Sequence, residues 1–209
     1  ETINPYHPSS HYGRMPFVQG LVIGVVTDLE DPDGEDRVKI KIPAISESEE
    51  GIWARMATTD AGDKRGTYFR PEIGDEVVVG FIQGDASHAV ILGMLNSSAK
   101  PAPITASNTN DEKGYVSREQ MKMIFNDAEK SLKIETPAGK KITISEQDAV
   151  IKIEDENGNK ITMDSNGITV EAAATLTLKG GASVKIEAPS ISVNGSATTE
   201  IKGGIVKIN

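Results

Sequence analysis

The sequence contains no cysteine, which excludes disulfide bonds, thiolate nucleophiles and cysteine-based metal sites. Aromatic residues make up only 4% of the chain, with a single Trp, so a large core built on aromatic side chains is not expected. The longest apolar run, residues 21–26, is interrupted by Gly24 and is far too short to cross a bilayer. What remains is a chain rich in Ile and Val alternating with polar residues.

Signatures of catalysis and metal binding are also missing. There is no phosphate-binding loop and no Gly-x-Gly-x-x-Gly motif. His88 has no second His nearby in the sequence and no evident partners for a catalytic triad. His7 and His11 are four residues apart, but Pro8 between them disfavours the helix that would bring them together. We therefore predict no cofactor and no metal.

Two acidic clusters resemble functional motifs only superficially. Residues 31–36 resemble the start of an EF-hand, but Gly34 occupies the fourth position of that loop and not the sixth. This segment is predicted to be a hairpin turn. The carboxylates of Glu47, Glu49 and Glu50 lack the surrounding aromatic residues that a sugar-cleaving site uses. We therefore predict a solvated acidic loop there, and a chain that is not an enzyme.

The last third of the chain has a regular pattern. From about Leu132 to the end, aliphatic residues come in pairs two positions apart, separated by turn-forming Gly, Asn and Pro. This alternation is typical of strands with one dry and one wet face. Residues 132–144 recur 19 positions later as 151–163, and after Ile168 the spacing tightens to about eight. Such repeats indicate a stacked, quasi-one-dimensional architecture.

The apolar stripe of these strands needs a cover. No helical segment lies nearby in the sequence to pack on it, and burying one aliphatic side chain contributes roughly 1.5–3 kcal/mol. We favour three identical chains wound about a three-fold axis with their stripes inward. The alternative is a single-chain β-solenoid or sandwich, although solenoid coils are usually longer than this spacing. The predicted trimer core consists of Ile142, Ile144, Ile151, Ile153, Ile161, Ile168, Val170, Leu176, Leu178, Val184, Ile186, Ile191, Val193 and Ile201.

The rest of the chain divides by composition. Residues 1–16 are polar with three prolines and read as a linker or arm, and residues 97–116 form a second polar linker. Residues 17–96 contain short alternating segments at 17–27, 37–42, 52–56, 76–82 and 89–95, which indicate a small barrel of the oligonucleotide/oligosaccharide-binding (OB) type. Residues 117–209 are assigned to the spike, and 121–125 are predicted as strand, although Ser117 and Gln120 fit a helix-capping box.

The predicted fold class is therefore all-β. An OB-fold-like barrel precedes an intertwined triple-stranded β-helix, or β-prism, in a homotrimer. The net charge is −9, and an acidic chain of this kind is a poor nucleic-acid binder. Basic and aromatic residues also do not interleave along the predicted barrel strands, so no nucleic-acid partner is expected.

The barrel segment carries several separated motifs. They are residues 24–28 (GVVTD), 31–34 (DPDG), 37–43 (RVKIKIP), 53–55 (WAR), 71–81 (PEIGDEVVVGF), 84–85 (GD) and 90–93 (VILG). Together they resemble the baseplate assembly protein V domain, which occurs in contractile phage spikes and in VgrG proteins of type VI secretion and related extracellular injection systems. The downstream repeats are similar to the β-prism repeats of those spikes, and residues 203–209 are similar to their blunt ends.

This resemblance implies a trimeric central spike that rests on the hub, tail tube and baseplate and pierces a target envelope when a sheath contracts. It implies assembly in the bacterial cytoplasm into an injection apparatus or virion tail, followed by delivery outside or into a target cell. Because no His follows His88, a metal-bound apex is not expected. A separate PAAR-type tip protein is expected instead. The residues expected to dock that tip are Ile205, Val206, Lys207, Ile208 and Asn209.

Two further expectations follow. Family members usually carry a large N-terminal hub region, and this sequence starts at Glu1 rather than Met. We therefore expect either an engineered truncation or the C-terminal part of a longer protein. Some phage members carry a lysozyme domain where this chain has only the 97–116 linker. The alternative function is a trimeric tailspike or adhesin stalk that binds or cleaves glycans, which the absence of aromatic residues after Phe125 disfavours.

Overall fold

A computed structural model describes residues 18–43 and 50–208. The predicted arm at 1–16, and Glu47 and Glu49 of the acidic loop, lie outside these residues. The chain forms two compact units, Glu1–Thr105 and Ala106–Asn209. The described part contains no α-helix, only one short 3₁₀ turn at Ile82–Gly84, and no helix that could cross a membrane. The prediction of an all-β fold is confirmed.

The first unit contains a closed five-stranded barrel. Its strands and one small hairpin are β1 Val22–Asp28, β2 Val38–Lys41, β3 Ile52–Met56, β4 Ala61–Gly62, β5 Arg65–Gly66, β6 Glu76–Phe81 and β7 Ala89–Leu95. The barrel order is β1-β2-β3-β7-β6, and β4 pairs only with β5. All barrel neighbours are antiparallel except β3 and β7, which are parallel. This partly parallel five-stranded barrel is consistent with the predicted OB-like fold.

Strand alternation builds the barrel core. Every second residue of the barrel strands points inward, and these residues are aliphatic. The fully buried cluster consists of Val26, Val38, Ile40, Ile42, Ala54, Val77, Val79, Ala89 and Ile91. Gly24 also lies on the inner side, since a Cβ there would lie only 3.2 Å from a methyl group of Val79. The core therefore needs no aromatic side chain, as the composition indicated.

Asp31 organises the loop between β1 and β2. Its carboxylate accepts hydrogen bonds from the Arg37 guanidinium at 2.7 and 3.0 Å, and from the backbone N–H groups of Asp33, Glu35 and Arg37 at 3.0–3.1 Å. These donors, the Arg37 side chain first, hold the pKa of the Asp31 carboxyl well below its usual range. The carboxylate is thus occupied in closing a turn, which confirms the turn prediction for this segment.

The second unit begins with a seven-stranded antiparallel sheet. Its strands are β8 Glu112–Val116, β9 Lys122–Asn126, β10 Ser131–Glu135, β11 Lys141–Ser145, β12 Val150–Glu154, β13 Lys160–Asp164 and β14 Gly167–Glu171. They pair strictly in chain order, so the 19-residue repeat is one pair of strands with its two turns. Strand β9 confirms the strand prediction there, and the Ser117 hydroxyl accepts the N–H of Met121 at 3.0 Å in a tight turn.

The sheet starts earlier in the sequence than expected. Strand β8 lies within 97–116, the range predicted as linker, and the second unit starts at Ala106. Only Tyr115 and Val116 are large apolar residues in β8, so its alternation is too short to stand out. The polar range 97–116 therefore contains a paired edge strand.

Residues 172–208 follow the sheet without forming a strand. The backbone bends at Ala173–Ala174, Gly181–Ala182, Pro189, Ser196–Ala197 and Gly204. These bends are seven or eight residues apart and separate straight pieces that carry the aliphatic pairs. The eight-residue spacing in the sequence thus corresponds to a straight piece and its corner.

Removing a core side chain from the barrel should destabilise it. We expect Ile40→Ala to lower the free energy of unfolding of the barrel by about 2–5 kcal/mol, because the site is fully buried. The control Ile73→Ala, at a side chain 64% exposed, should change it by no more than about 0.5 kcal/mol. Urea unfolding followed by the fluorescence of Trp53, the single Trp, measures both. Equal losses for the two variants would contradict the assignment of the core.

Candidate functional site

The seven-stranded sheet has one continuous apolar face. Directly paired residues in an antiparallel sheet share a face, and the strand register aligns the aliphatic residues into two rows. The first row is Tyr115, Met123, Ile134, Ile142, Ile153, Ile161 and Val170. The second row is Phe125, Leu132, Ile144, Ile151, Met163 and Ile168. We call the surface formed by both rows the apolar face.

Within the described residues, no element of the second unit covers the apolar face. Leu132 is partly buried, and the exposed fractions of the other large side chains run from 37% for Ile161 to 70% for Ile168. A contiguous apolar surface of this extent on a folded protein marks an interaction site, because isolated soluble proteins bury such patches. The apolar face is therefore the candidate functional site of this unit.

The opposite face of the sheet carries charged side chains in a regular row. One row across it alternates in sign, and its members are Lys122, Glu135, Lys141, Glu154, Lys160 and Glu171. The ammonium of Lys122 lies 3.2 Å from the Glu135 carboxylate, and that of Lys160 lies 3.1 Å from Glu171. Opposite charges on directly paired positions stabilise a sheet modestly. This polar face can remain in contact with water. The apolar face is therefore the side of the sheet that needs a partner.

The backbone of residues 174–208 also lacks hydrogen-bond partners. Within the described part of the chain, these residues form no backbone–backbone hydrogen bond. Their predicted core residues are also exposed, from 53% for Leu176 and Ile191 to 73% for Val193. Backbone N–H and C=O groups in native structures are nearly always paired when they are removed from water. Burying the aliphatic side chains of this segment would therefore also require hydrogen-bond partners for its backbone.

The turn between β12 and β13 contacts the start of residues 172–208. The Asp155 carboxylate accepts the Nδ2–H of Asn159 at 2.8 Å and the backbone N–H groups of Asn157 and Asn159 at 2.9 Å. The Asn159 side chain is the main cause of a pKa lowered to about 2 for Asp155. The Oδ1 of Asn159 in turn accepts the N–H of Ala173 at 2.9 Å. The turn thus anchors the start of residues 172–208 to the end of the sheet.

Other candidate groups in the described residues do not form a site. Ser87, His88 and Asp85 lie together, but the Ser87 hydroxyl and the Asp85 carboxylate both contact the same ring nitrogen, Nδ1 of His88, at 3.1 Å. A triad needs the two partners on opposite ring nitrogens. No cluster of three or more His, Asp or Glu in the described part of the chain is placed to hold a metal ion.

Basic and aromatic side chains meet between two strands of the barrel, a contact that the sequence pattern did not predict. Lys39 pairs directly with Trp53 across β2 and β3, and the Lys39 ammonium and Arg37 guanidinium lie 5.7 and 5.9 Å from the Trp53 ring centre. The alternate spacing of Arg37 and Lys39 was visible in the sequence, but their approach to Trp53 depends on a register set across a loop. Arg37 is also neutralised by Asp31.

Comparison with known proteins places both units in one family. Residues 22–95 match the model of the type VI secretion system/phage-baseplate injector OB domain, and residues 131–209 match the phage baseplate V C-terminal trimerisation domain. The chain is also 31% identical over 99 residues to the type VI secretion system spike protein VgrG3 of Vibrio cholerae serotype O1. That alignment covers 42% of this chain and 9% of the relative.

The chain belongs to the family of phage-baseplate V and VgrG-type spike proteins. It combines an OB-like barrel with a trimerisation domain. This is a family of structural spike proteins. The matched trimerisation domain contains β10–β14, whose apolar face is exposed, and residues 172–208. From residue 174 onward, the described backbone of that second segment forms no backbone–backbone hydrogen bond.

The Asp155 turn predicts an acid-sensitive contribution to stability. Its folded-state pKa of about 2 lies below the ordinary 3.8, so the charged carboxylate favours the folded state. The contribution is complete above about pH 4 and is lost as pH falls through about 2. We expect Asp155→Asn to lower the thermal midpoint at pH 7 and to flatten its decline between pH 4 and 2. Glu146→Gln, on a side chain without such hydrogen bonds in the described residues, serves as control and should leave the wild-type profile.

Proposed function

We propose that this protein is the central spike of a contractile injection machine, and that residues 172–208 of three copies wind into an intertwined triple-stranded β-helix. On sheath contraction this assembly pierces the target envelope. The observation that carries the proposal is the unpaired backbone of residues 174–208. Because a trimerisation domain is matched over the same residues, we infer that the partners are two other copies of the chain.

The apolar residues supply the core of the proposed trimer. The apolar faces of the sheets of three copies turn toward a common axis. In residues 172–208, each straight piece places its aliphatic pair against the other chains. The residues assigned to this core are Ile142, Ile144, Ile151, Ile153, Ile161, Ile168, Val170, Leu176, Leu178, Val184, Ile186, Ile191, Val193 and Ile201. The alternating Lys and Glu row then faces water.

The proposed architecture suits a mechanical task. Each straight piece of one chain is pinned by strands of both neighbours, so no piece can detach without breaking contacts to two chains. Unfolding is then slow, and the spike is stable kinetically as well as thermodynamically. A charged outer face does not enter hydrocarbon spontaneously, so passage through a membrane draws on the work of sheath contraction and on a blunt, rigid leading end.

The leading end is proposed to carry a PAAR-type tip protein. Residues 205–208 are exposed, with Ile205 at 81% and Ile208 at 88%, while Asn209 lies outside the described residues. Three copies of Ile205, Val206, Lys207, Ile208 and Asn209 would offer an apolar platform at the end of the β-helix. The other proposed partners are hub, tail-tube and baseplate proteins, and assembly occurs in the bacterial cytoplasm. The chain spans only 9% of its curated relative, so these partners are proposals.

A charge at the three-fold axis should block assembly. We expect Leu178→Asp or Ile186→Asp to place three carboxylates close together in a dry core, where like charges without partners are strongly unfavourable. Light scattering should then give the mass of one 22.3 kDa chain in place of a trimer. Lys185→Asp, at the alternate position beside Ile186, should leave the trimer mass unchanged. A detergent-resistant trimer in the Leu178→Asp variant would refute the inward orientation.

Loss of the last residues should remove the tip but not the trimer. We expect deletion of residues 205–209 to abolish capture of a PAAR-type protein in a pull-down, because the exposed platform is gone, while the trimer mass persists. The matched control replaces Lys202, upstream of the platform, by Ala and should retain capture. Undiminished capture by the deletion variant would show that the tip binds elsewhere.

A further inference from the structure

The apolar face extends beyond the matched trimerisation domain. That match begins at residue 131 and the barrel match ends at residue 95, so strands β8 and β9 lie in neither. Strand β9 nevertheless continues both rows, and β8 continues the first. Tyr115 pairs with Met123, which pairs with Ile134, and Phe125 pairs with Leu132. The rows therefore cross the boundary of the match without a break.

The side chains on β8 and β9 are as uncovered as those within the match. Tyr115, Met123 and Phe125 are 49%, 42% and 46% exposed, compared with 41% for Ile142 and 43% for Ile144. Tyr115 and Phe125 are also the bulkiest on the face, since no aromatic residue follows Phe125 in the chain. Each contributes more apolar area than the aliphatic residues of the later strands.

Strand β8 forms an integral edge of this sheet. A Cβ at Gly114 would lie 2.1 Å from the carbonyl oxygen of Met123, so only glycine permits the close approach of β8 to β9. The second row ends on β8 at Lys113, whose ammonium contacts the Asp127 carboxylate at 2.5 Å and the Asn110 carbonyl at 2.8 Å. Apolar character therefore stops at β8, where a charged edge residue also discourages further strand pairing.

We propose that the trimer interface begins at β8, and that Tyr115, Met123 and Phe125 pack against the same face of two other copies of this chain. The proposal rests on the trimeric assembly proposed above and adds two strands to it. Neighbouring strands of a sheet are only about 4.8 Å apart, so β9 reaches the axis wherever β10 does. The three sets of side chains then close the β8 end of the apolar core.

Thiol labelling of the full chain tests this extension. The chain has no Cys, so a substitution introduces a unique thiol. Phe125→Cys lies on the apolar face, while Ile124→Cys, its neighbour on β9, lies on the opposite face, where Ile124 pairs with Lys133 and Gly114. In the purified trimer, we expect maleimide to modify the Phe125→Cys thiol at least about tenfold more slowly than the Ile124→Cys thiol, with equal rates in denaturant.

Two controls separate this inference from the trimer proposal. The Ile142→Cys thiol, on the same face within the matched domain, should be protected, and native mass should show a trimer. A chain that is not trimeric overturns the proposed function. A trimer that protects the Ile142→Cys thiol but not the Phe125→Cys thiol overturns only the extension to β8 and β9.

A third variant identifies what covers the face. In the Leu178→Asp background, which is expected to be monomeric, protection of the Phe125→Cys thiol should disappear. Protection that persists in the monomer means that a segment of the same chain covers Phe125, and it overturns the assignment to a second copy. Met123→Cys, on the same face of β9, repeats the test if Phe125→Cys does not assemble.

Discussion

A sheet with one apolar face cannot hide that face by itself, and the second unit of this protein follows from this constraint. Strand alternation places Ile, Leu, Met and Val on one side and a row of alternating Lys and Glu on the other. No other element of the unit covers the aliphatic side. Hydrophobic burial therefore has to come from association, and the matched trimerisation domain is the form that this association takes in the family. The barrel, in contrast, encloses an aliphatic core of its own.

The two repeat lengths correspond to two ways of pairing backbone. From β8 to β14, the strands hydrogen-bond to one another in chain order within the same chain. After Ala173, the chain runs between regularly spaced bends without any internal backbone bond among the described residues. The first part can fold locally, because its contacts are close in sequence. In the proposed trimer the second part gains its contacts from other chains, which would tie its ordering to assembly.

Sequence patterns predicted which residues share a face but not always which strands pair. The alternation of Ile142 with Ile144 and of Ile151 with Ile153 correctly identified strands whose aliphatic residues share one face. It could not reveal that these strands pair within one chain, because period-two alternation carries no information about the partner. Strand β8 was missed because its apolar signal is limited to Tyr115 and Val116. The contact of Lys39 with Trp53 depends on register across a loop, which local sequence does not encode.

The eight-residue spacing after Ile168 has a consequence for how three copies line up. Because successive straight pieces carry similar aliphatic pairs, such as Val184 with Ile186 and Ile191 with Val193, a chain displaced by one whole piece would bury nearly the same side chains. The preceding sheet is less repetitive, since its β8 end carries Phe125 and Tyr115 only once. In the proposed trimer, the sheet would therefore give three otherwise interchangeable tails a common starting point.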